Sequence, residues 1–174
     1  MNTDFSASLE KTNTRPPHGW PCVEEFVEPN VCKVFIPFNI GRPGSRKKDH
    51  WTLAVIDIEN EQLEYYCSMH DSYGQGPGVL DLLASTVAKI DTGEVREWKK
   101  PVATWTKAVM TSIPKQTNGN DCGPFVCMFA DCLSEGVPLQ PTVNGYRVQM
   151  TQWMKDERVP TRAAVNDPKI RILV

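Results

Sequence analysis

The sequence predicts an α+β fold in which a small mixed sheet is flanked by helices. Three observations support this class. Residues 50–59, HWTLAVIDIE, form a nearly continuous apolar run that suits a strand buried on both faces. Residues 79–90 carry apolar side chains at the spacing of an amphipathic helix. Residues 123–135 are an apolar segment long enough for about three helical turns.

The first half of the chain predicts further strands. Residues 32–40 are β-branched and aromatic, and Pro37 limits them to a short or edge strand. Residues 60–62 suit a tight turn into another strand over 63–69. The two runs on either side of this turn therefore predict a hairpin.

The second half predicts a strand over 102–114 and a final helix over 143–158. Residues 1–30 are polar and rich in proline, so we expect an irregular N-terminal segment. Residues 31–160 form the predicted domain, and 161–174 a C-terminal tail. A chain of 174 residues fits one domain with a single core.

Composition excludes several classes of function. The net charge of −2 implies no general affinity for nucleic acid. Neither a run of about 18 apolar residues nor a secretory signal is present, so we expect no membrane segment and an intracellular protein. In a reducing compartment the six cysteines are expected to be free thiols. With no C-x-x-C pair and three histidines, zinc binding is weakly indicated, and no metal or cofactor is predicted.

One cysteine lies where a nucleophile could be held. In the stretch QTNGNDCGPFVCMFADCL, Pro124 suits the first turn of a helix because it has no N–H to lose. Cys122 would then lie at or near the N-cap, where unpaired N–H groups stabilise a thiolate. Gly123 leaves room for a close backbone approach. Cys127 and Cys132 are expected to be buried thiols within the helix.

A thiol nucleophile needs a base and an oxyanion donor. His50 opens the buried strand and is followed by Trp51, whereas His18 and His70 lie in segments that hold a side chain less firmly. The amide of Gln116, six residues before Cys122, could bind a developing oxyanion. Each residue also has an ordinary interpretation: a structural thiol, a packed His–Trp pair or a solvated glutamine.

The combination of these motifs resembles the catalytic core of the Ulp/sentrin-specific cysteine proteases, which process SUMO and related modifiers. The resemblance covers roughly residues 31–155 and rests on HWTLAVIDIENEQLEYY and IPKQTNGNDCGPFVCMFADCL. In that family a His-Trp pair opens a core strand, and a Gln lies six residues before the Cys of a D-C-G motif. The matching positions are His50, Trp51, Gln116, Asp121, Cys122, Gly123, Phe125 and Cys127.

The resemblance implies a papain-like or adenain-like cysteine protease core that cleaves a peptide or isopeptide bond after a Gly-Gly tail. The implied partner is SUMO or another ubiquitin-like protein and its conjugates, bound by a monomer that uses no cofactor and contacts neither nucleic acid nor membrane. The implied compartment is the nucleus or the cytoplasm.

The same resemblance implies a role for each matching residue. Cys122 would be the nucleophile, His50 the base and Gln116 part of the oxyanion hole. Trp51 would line a narrow tunnel for the diglycine. The implied substrate-binding residues are Trp51, Gly123 and Asp121.

Two departures from the family pattern affect these implications. The family acid lies seventeen residues after the histidine, and that position is Cys67 here. Asp71 lies four residues further on and could substitute, although the spacing does not support it. The helical WLND segment that begins family domains is also missing, so a truncated relative, a fragment or an inactive copy is expected.

Three functions remain open at this point. The first is a SUMO- or ubiquitin-like-specific cysteine protease, active or impaired by Cys67. The second is an inactive pseudoprotease that still binds a modifier or a partner. The third is an acyltransferase with the same Cys–His machinery, which nothing in the sequence selects.

Overall fold

The computed structural model describes residues 31–41, 49–69, 74–90, 100–155 and 170–172. The predicted segment 1–30, with His18 and Cys22, lies outside these ranges, as do His70 and Asp71. The described strands are β1 (Lys33–Ile40), β2 (His50–Asp57), β3 (Gln62–Tyr66), β4 (Thr106–Met110) and β5 (Ile170–Ile172).

All five strands belong to one sheet with the order β4-β3-β2-β1-β5. The β1–β2 and β2–β3 pairs are antiparallel, whereas β3–β4 and β1–β5 are parallel. This mixed sheet confirms the predicted α+β class, with the β2–β3 hairpin at its centre.

The central strand β2 is buried at every position except Trp51. Its side chains alternate between two cores, because successive residues of a strand point to opposite faces. Leu53 and Val55 face one core, while Ala54 and Ile56 face the other. Burial on both faces explains why the strand is a continuous apolar run and not an alternating one.

Helices cover both faces of the sheet: α1 (Gly76–Ile90), α2 (Cys122–Glu135) and α3 (Asn144–Lys155). Leu80 and Leu83 of α1 pack in the core with Ala54. Phe129 of α2 and Tyr146 of α3 pack in the other core, with Leu53 and Val55. The result is three layers, with the sheet in the middle. None of the described helices is long and apolar enough to cross a membrane.

The outer side of β1 explains how the strand accommodates a proline. β5 pairs with β1 only over Lys33–Phe35, so Pro37, which lacks an N–H, lies beyond that pairing. Within the described residues, β1 is therefore an interior strand at its start and an edge strand at its end. β5 itself falls in the segment predicted as a tail, and three residues are too few for the strand signals applied to the sequence.

Three expectations about local structure need correction. The predicted strand 102–114 is a 3₁₀ turn over Val102–Thr104 followed by β4, which ends at Met110. The predicted strand 63–69 stops at Tyr66, so Cys67 lies just outside β3. Cys127 is exposed and not buried, because it lies on the helix side opposite Phe125 and Phe129.

Candidate active site

His50 and Cys67 are in direct contact. His50 is the first residue of β2, lies opposite Ile40 of β1 and is 2% exposed. Its Nε2 lies 3.3 Å from Sγ of Cys67, which is equally buried. The register that pairs Leu53 with Tyr66, continued to the hairpin end, places these two side chains on the same side of the hairpin.

The surroundings of His50 disfavour its charged form. Burial lowers the pKa of the imidazole, and the neighbouring Asp49 carboxylate raises it by a smaller amount. A carboxylate at position 67 would add a second negative group against the ring. A thiol can form a weak hydrogen bond there but carries no charge in its protonated form.

Cys122 is the first residue of α2, as the sequence predicts. The side chain is 8% exposed, and Pro124 lies two residues further into the first turn. The first backbone hydrogen bond of the helix runs from the N–H of Phe125 to the carbonyl of Asp121 at 2.9 Å. Cys122 is a free cysteine.

Gln116 connects the segment before α2 to the hairpin end. Its backbone N–H donates to the carbonyl of Ser68 at 2.9 Å. The Ser68 hydroxyl donates in turn to Oε1 of Gln116 at 2.6 Å, and Gln116 Nε2 donates to the carbonyl of Asn118 at 2.5 Å. Because Ser68 follows Cys67 directly, Gln116 is anchored beside the His50–Cys67 pair. A primary amide has two N–H groups, so one donor remains beyond the bond to Asn118.

The carboxylate of Asp121 points toward α3. It is paired with the guanidinium of Arg147 and accepts a hydrogen bond from Nδ2 of Asn118 at 2.8 Å. The hydrogen bond from Asn118 and the ion pair with Arg147 lower the pKa of this carboxyl. Asp121 therefore joins the start of α2 to α3, and this link is distinct from the substrate-binding role that the resemblance implies.

Trp51 and Gly123 both border open space. Trp51 is 42% exposed at the start of β2, although the rest of that strand is buried. A Cβ built on Gly123 would meet no atom within 4 Å. The chain's own packing therefore does not explain a glycine at this position.

Sequence reasoning missed three residues that hold this site: Ser68, Asn118 and Arg147. Asn118 lies inside the second motif and Ser68 two residues after the first, but a hydroxyl or an amide in a loop has no spacing that distinguishes it. Arg147 lies on a predicted helix, where a cation is ordinarily part of the solvated face. No group of three or more His, Cys, Asp or Glu side chains in the described parts of the chain could hold a metal ion.

Comparison with known proteins identifies the family. A model of the Ulp1 protease family, C-terminal catalytic domain, matches residues 20–160. The chain belongs to this family of cysteine proteases. The sequence-based resemblance is thereby confirmed.

Relatives of this Ulp1-family chain are larger proteins. Ubiquitin-like-specific protease 1A of Arabidopsis thaliana is 34% identical over 110 residues, which cover 62% of this chain and 19% of the relative. Sentrin-specific protease 2 of Homo sapiens is 34% identical over 96 residues, covering 53% and 15%. The chain thus spans less than a fifth of the length of these curated relatives.

A solved structure has the same fold. The C-terminal Ulp1 protease domain, in complex with Smt3, the yeast ortholog of SUMO, superposes with a TM-score of 0.53 at 22% identity. The match covers 80% of this chain and 58% of that one. The predicted protease-type α+β core is confirmed by this similarity.

Proposed function

We propose that this Ulp1-family chain is a thiol peptidase that cleaves SUMO or a related ubiquitin-like modifier after its C-terminal Gly-Gly. The reaction would be precursor processing or deconjugation, carried out by a monomer in the nucleus or the cytoplasm. The observation that carries the proposal is the contact of His50 Nε2 with Cys67, since it puts position 67 where an orienting acid would hold the imidazole of the proposed base.

The proposed chemistry uses residues whose positions are described above. The thiol proton of Cys122 passes to the imidazole of His50, and the sulfur attacks the carbonyl carbon of the last glycine. Gln116 Nε2 and the N–H groups at the start of α2 stabilise the oxyanion. The leaving amine takes the proton from His50, which leaves a thioester. Water, deprotonated by His50, then hydrolyses this thioester to release the modifier's carboxylate.

Binding of the modifier tail is proposed to use the open surface beside Cys122. Trp51 offers an exposed aromatic wall, and Gly123 leaves room for a backbone to pass close to the start of α2. Glycine residues in the tail need the least space, which fits cleavage after Gly-Gly.

A second candidate is an inactive pseudoprotease that binds a modifier or a partner. It is favoured by one observation: the position against His50 Nε2 holds a thiol and no carboxylate. Loss of the orienting acid costs up to about 10⁴ in turnover in a serine-protease triad. The retained Cys122, His50 and Gln116 favour the peptidase, because a decayed site has no reason to keep them. No structural observation favours an acyltransferase.

The test uses purified protein and SUMO that carries an electrophile in place of its C-terminal carboxyl. Mass spectrometry detects a covalent adduct, and Cys122→Ala is the control. The proposal predicts an adduct that requires Cys122. A folded protein that forms no adduct, but forms one after Cys67→Asp, would be a site disabled at position 67. If neither the native protein nor Cys67→Asp forms an adduct, the peptidase proposal is contradicted and the pseudoprotease that only binds a modifier is favoured. Ubiquitin that carries the same electrophile tests the choice of modifier.

A further inference from the structure

The N-cap of α2 is occupied by an aspartate that does not cap the helix. An N-cap aspartate ordinarily accepts a hydrogen bond from the N–H of the second or third helical residue. In α2 these residues are Gly123 and Pro124, and proline has no N–H, so only Gly123 could donate. The Asp121 side chain forms no such bond.

Both carboxylate oxygens of Asp121 are engaged elsewhere. Arg147 Nη2 donates to Oδ1, and Asn118 Nδ2 donates to Oδ2 at 2.8 Å. The same Arg147 nitrogen lies 3.5 Å from the carbonyl of Asn120. The guanidinium of α3 therefore holds both the backbone and the side chain just before Cys122.

Release from Arg147 would allow the Asp121 carboxylate to turn toward the Gly123 N–H, which it does not bind in this structure. Its charge would then lie closer to the Cys122 sulfur. Both changes oppose a thiolate and an oxyanion, because each of these anions depends on the N–H groups and positive end of the helix.

We propose that Arg147 is a positioning residue that keeps the Asp121 carboxylate away from the start of α2. The Gly123 N–H and the positive end of the helix dipole then act on the Cys122 sulfur. This inference rests on the proposed role of Cys122 as the nucleophile.

The same anchor extends to Gln116. The side-chain amide of Asn118 donates a hydrogen bond to Asp121, while the backbone carbonyl of Asn118 accepts one from Gln116 Nε2. A loss of Arg147 therefore loosens the proposed oxyanion donor along with the aspartate. The chain of contacts ends at Ser68, beside Cys67.

An ion pair that only stabilised the fold would not affect the reactivity of Cys122. The side chain of Arg147 is 46% exposed and that of Asp121 is 14% exposed, so the pair is partly open to solvent. The chain provides a control in Lys107 and Asp81, which form an ion pair at 2.8 Å between β4 and α1 with a cation of similar exposure and a more exposed carboxylate, 73% against 14% for Asp121.

The experiment measures alkylation of Cys122 by iodoacetamide at neutral pH, with tandem mass spectrometry assigning the label to that residue. The rate follows the thiolate fraction and requires no modifier. Arg147→Ala is expected to slow alkylation about three- to tenfold, since a misplaced carboxylate acts at short range on an anion. Arg147→Lys, which keeps the charge, should recover part of the rate, and Lys107→Ala should leave it unchanged.

The decisive variant removes the aspartate as well. Asp121→Ala in the Arg147→Ala background should restore the alkylation rate. If the ion pair were only a structural link, removing its second partner would not restore that rate. Circular dichroism checks folding, and Arg147→Gln replaces Arg147→Ala if the alanine variant melts at the assay temperature.

An unchanged rate in the arginine variant, or a slow double variant, would overturn the inference. Failure of the SUMO electrophile to react would contradict the proposed function alone, because alkylation is measured without it.

Discussion

Nε2 of His50 and Sγ of Cys67 lie 3.3 Å apart at the buried end of the β2–β3 hairpin. The contact can fix the orientation of the imidazole, since a thiol is a weak hydrogen-bonding group. It cannot supply the negative charge that stabilises an imidazolium. The pair therefore separates two roles, orientation and charge stabilisation, that one carboxylate ordinarily performs together.

Cys67→Asp is expected to raise turnover of a SUMO substrate by at least about tenfold, because a carboxylate against Nε2 stabilises protonated His50. Position 67 is buried, but the imidazole and the ammonium of Lys115, which lies 3.1 Å from the Cys67 carbonyl, both favour a carboxylate there. Steady-state kinetics on a SUMO precursor measures the gain.

Cys67→Asn is the matched control for this prediction. Asparagine has the shape of aspartate and can accept a hydrogen bond, but it carries no charge. A gain for aspartate alone assigns the effect to charge, and an equal gain for both assigns it to ring orientation. No gain from either variant would mean that position 67 does not limit the reaction.

The lowered pKa of His50 predicts a dependence of stability on pH. Burial holds this pKa below 6.5 in the folded protein, so the unfolded chain takes up the proton first as the pH falls. The contribution of His50 to the free energy of unfolding is present in full above the unfolded pKa. It is lost as the pH falls from there toward the folded pKa. Chemical denaturation at a series of pH values measures this, with His50→Gln as the variant in which the dependence should diminish.

Asp49→Asn should lower the pKa of His50 further, since the Asp49 carboxylate is the group that raises it. An NMR titration of the imidazole resonances can follow this directly, because the chain has three histidines. Cys67→Asp should raise the pKa of His50. Opposite shifts of this pKa in the two variants would establish that both carboxylate positions act on the ring through charge.

Ser68→Ala is expected to lower kcat about three- to tenfold, with a smaller effect on KM, because Gln116 loses the hydroxyl that orients its amide. Gln116→Ala should lower kcat further, by about 10² if its Nε2 is an oxyanion donor. The double variant should be no slower than Gln116→Ala alone. Additive losses would contradict a positioning role for Ser68.

Local patterns in the sequence predict the buried strand and the cysteine at the start of α2. The relation of position 67 to His50 is implied by the family resemblance alone, and the structure has the two side chains in contact because a short hairpin brings them together. The β5 strand and the contact of Arg147 with Asp121 join segments that are distant in sequence. Neither has a local signal, because an exposed arginine on a helix has the same pattern whether or not it reaches another element.

Trp51→Ala and Trp105→Ala should have contrasting effects. Trp51 is 42% exposed, so its loss should leave the melting temperature nearly unchanged while weakening reaction with the SUMO electrophile. Trp105 is 4% exposed within the core that includes α1, so its loss should destabilise the fold by about 3–5 kcal/mol. A large loss of stability in the first variant would assign Trp51 to packing and remove it from the substrate-binding surface.

Gly123→Ala tests whether the space beside Cys122 is used by the substrate. A Cβ at this position meets no atom of the protein, and alanine favours a helix over glycine, so the variant should be as stable as the native chain or slightly more so. If the modifier tail passes this point, the added methyl group occupies its path, and KM for a SUMO precursor should rise about tenfold or more while small-molecule alkylation of Cys122 is retained. Gly119→Ala is the control, since its Cβ would also meet no atom but lies in the loop before the helix. Equal cleavage by Gly123→Ala and the native chain would place the tail elsewhere, and the glycine would then have no explanation in the structure.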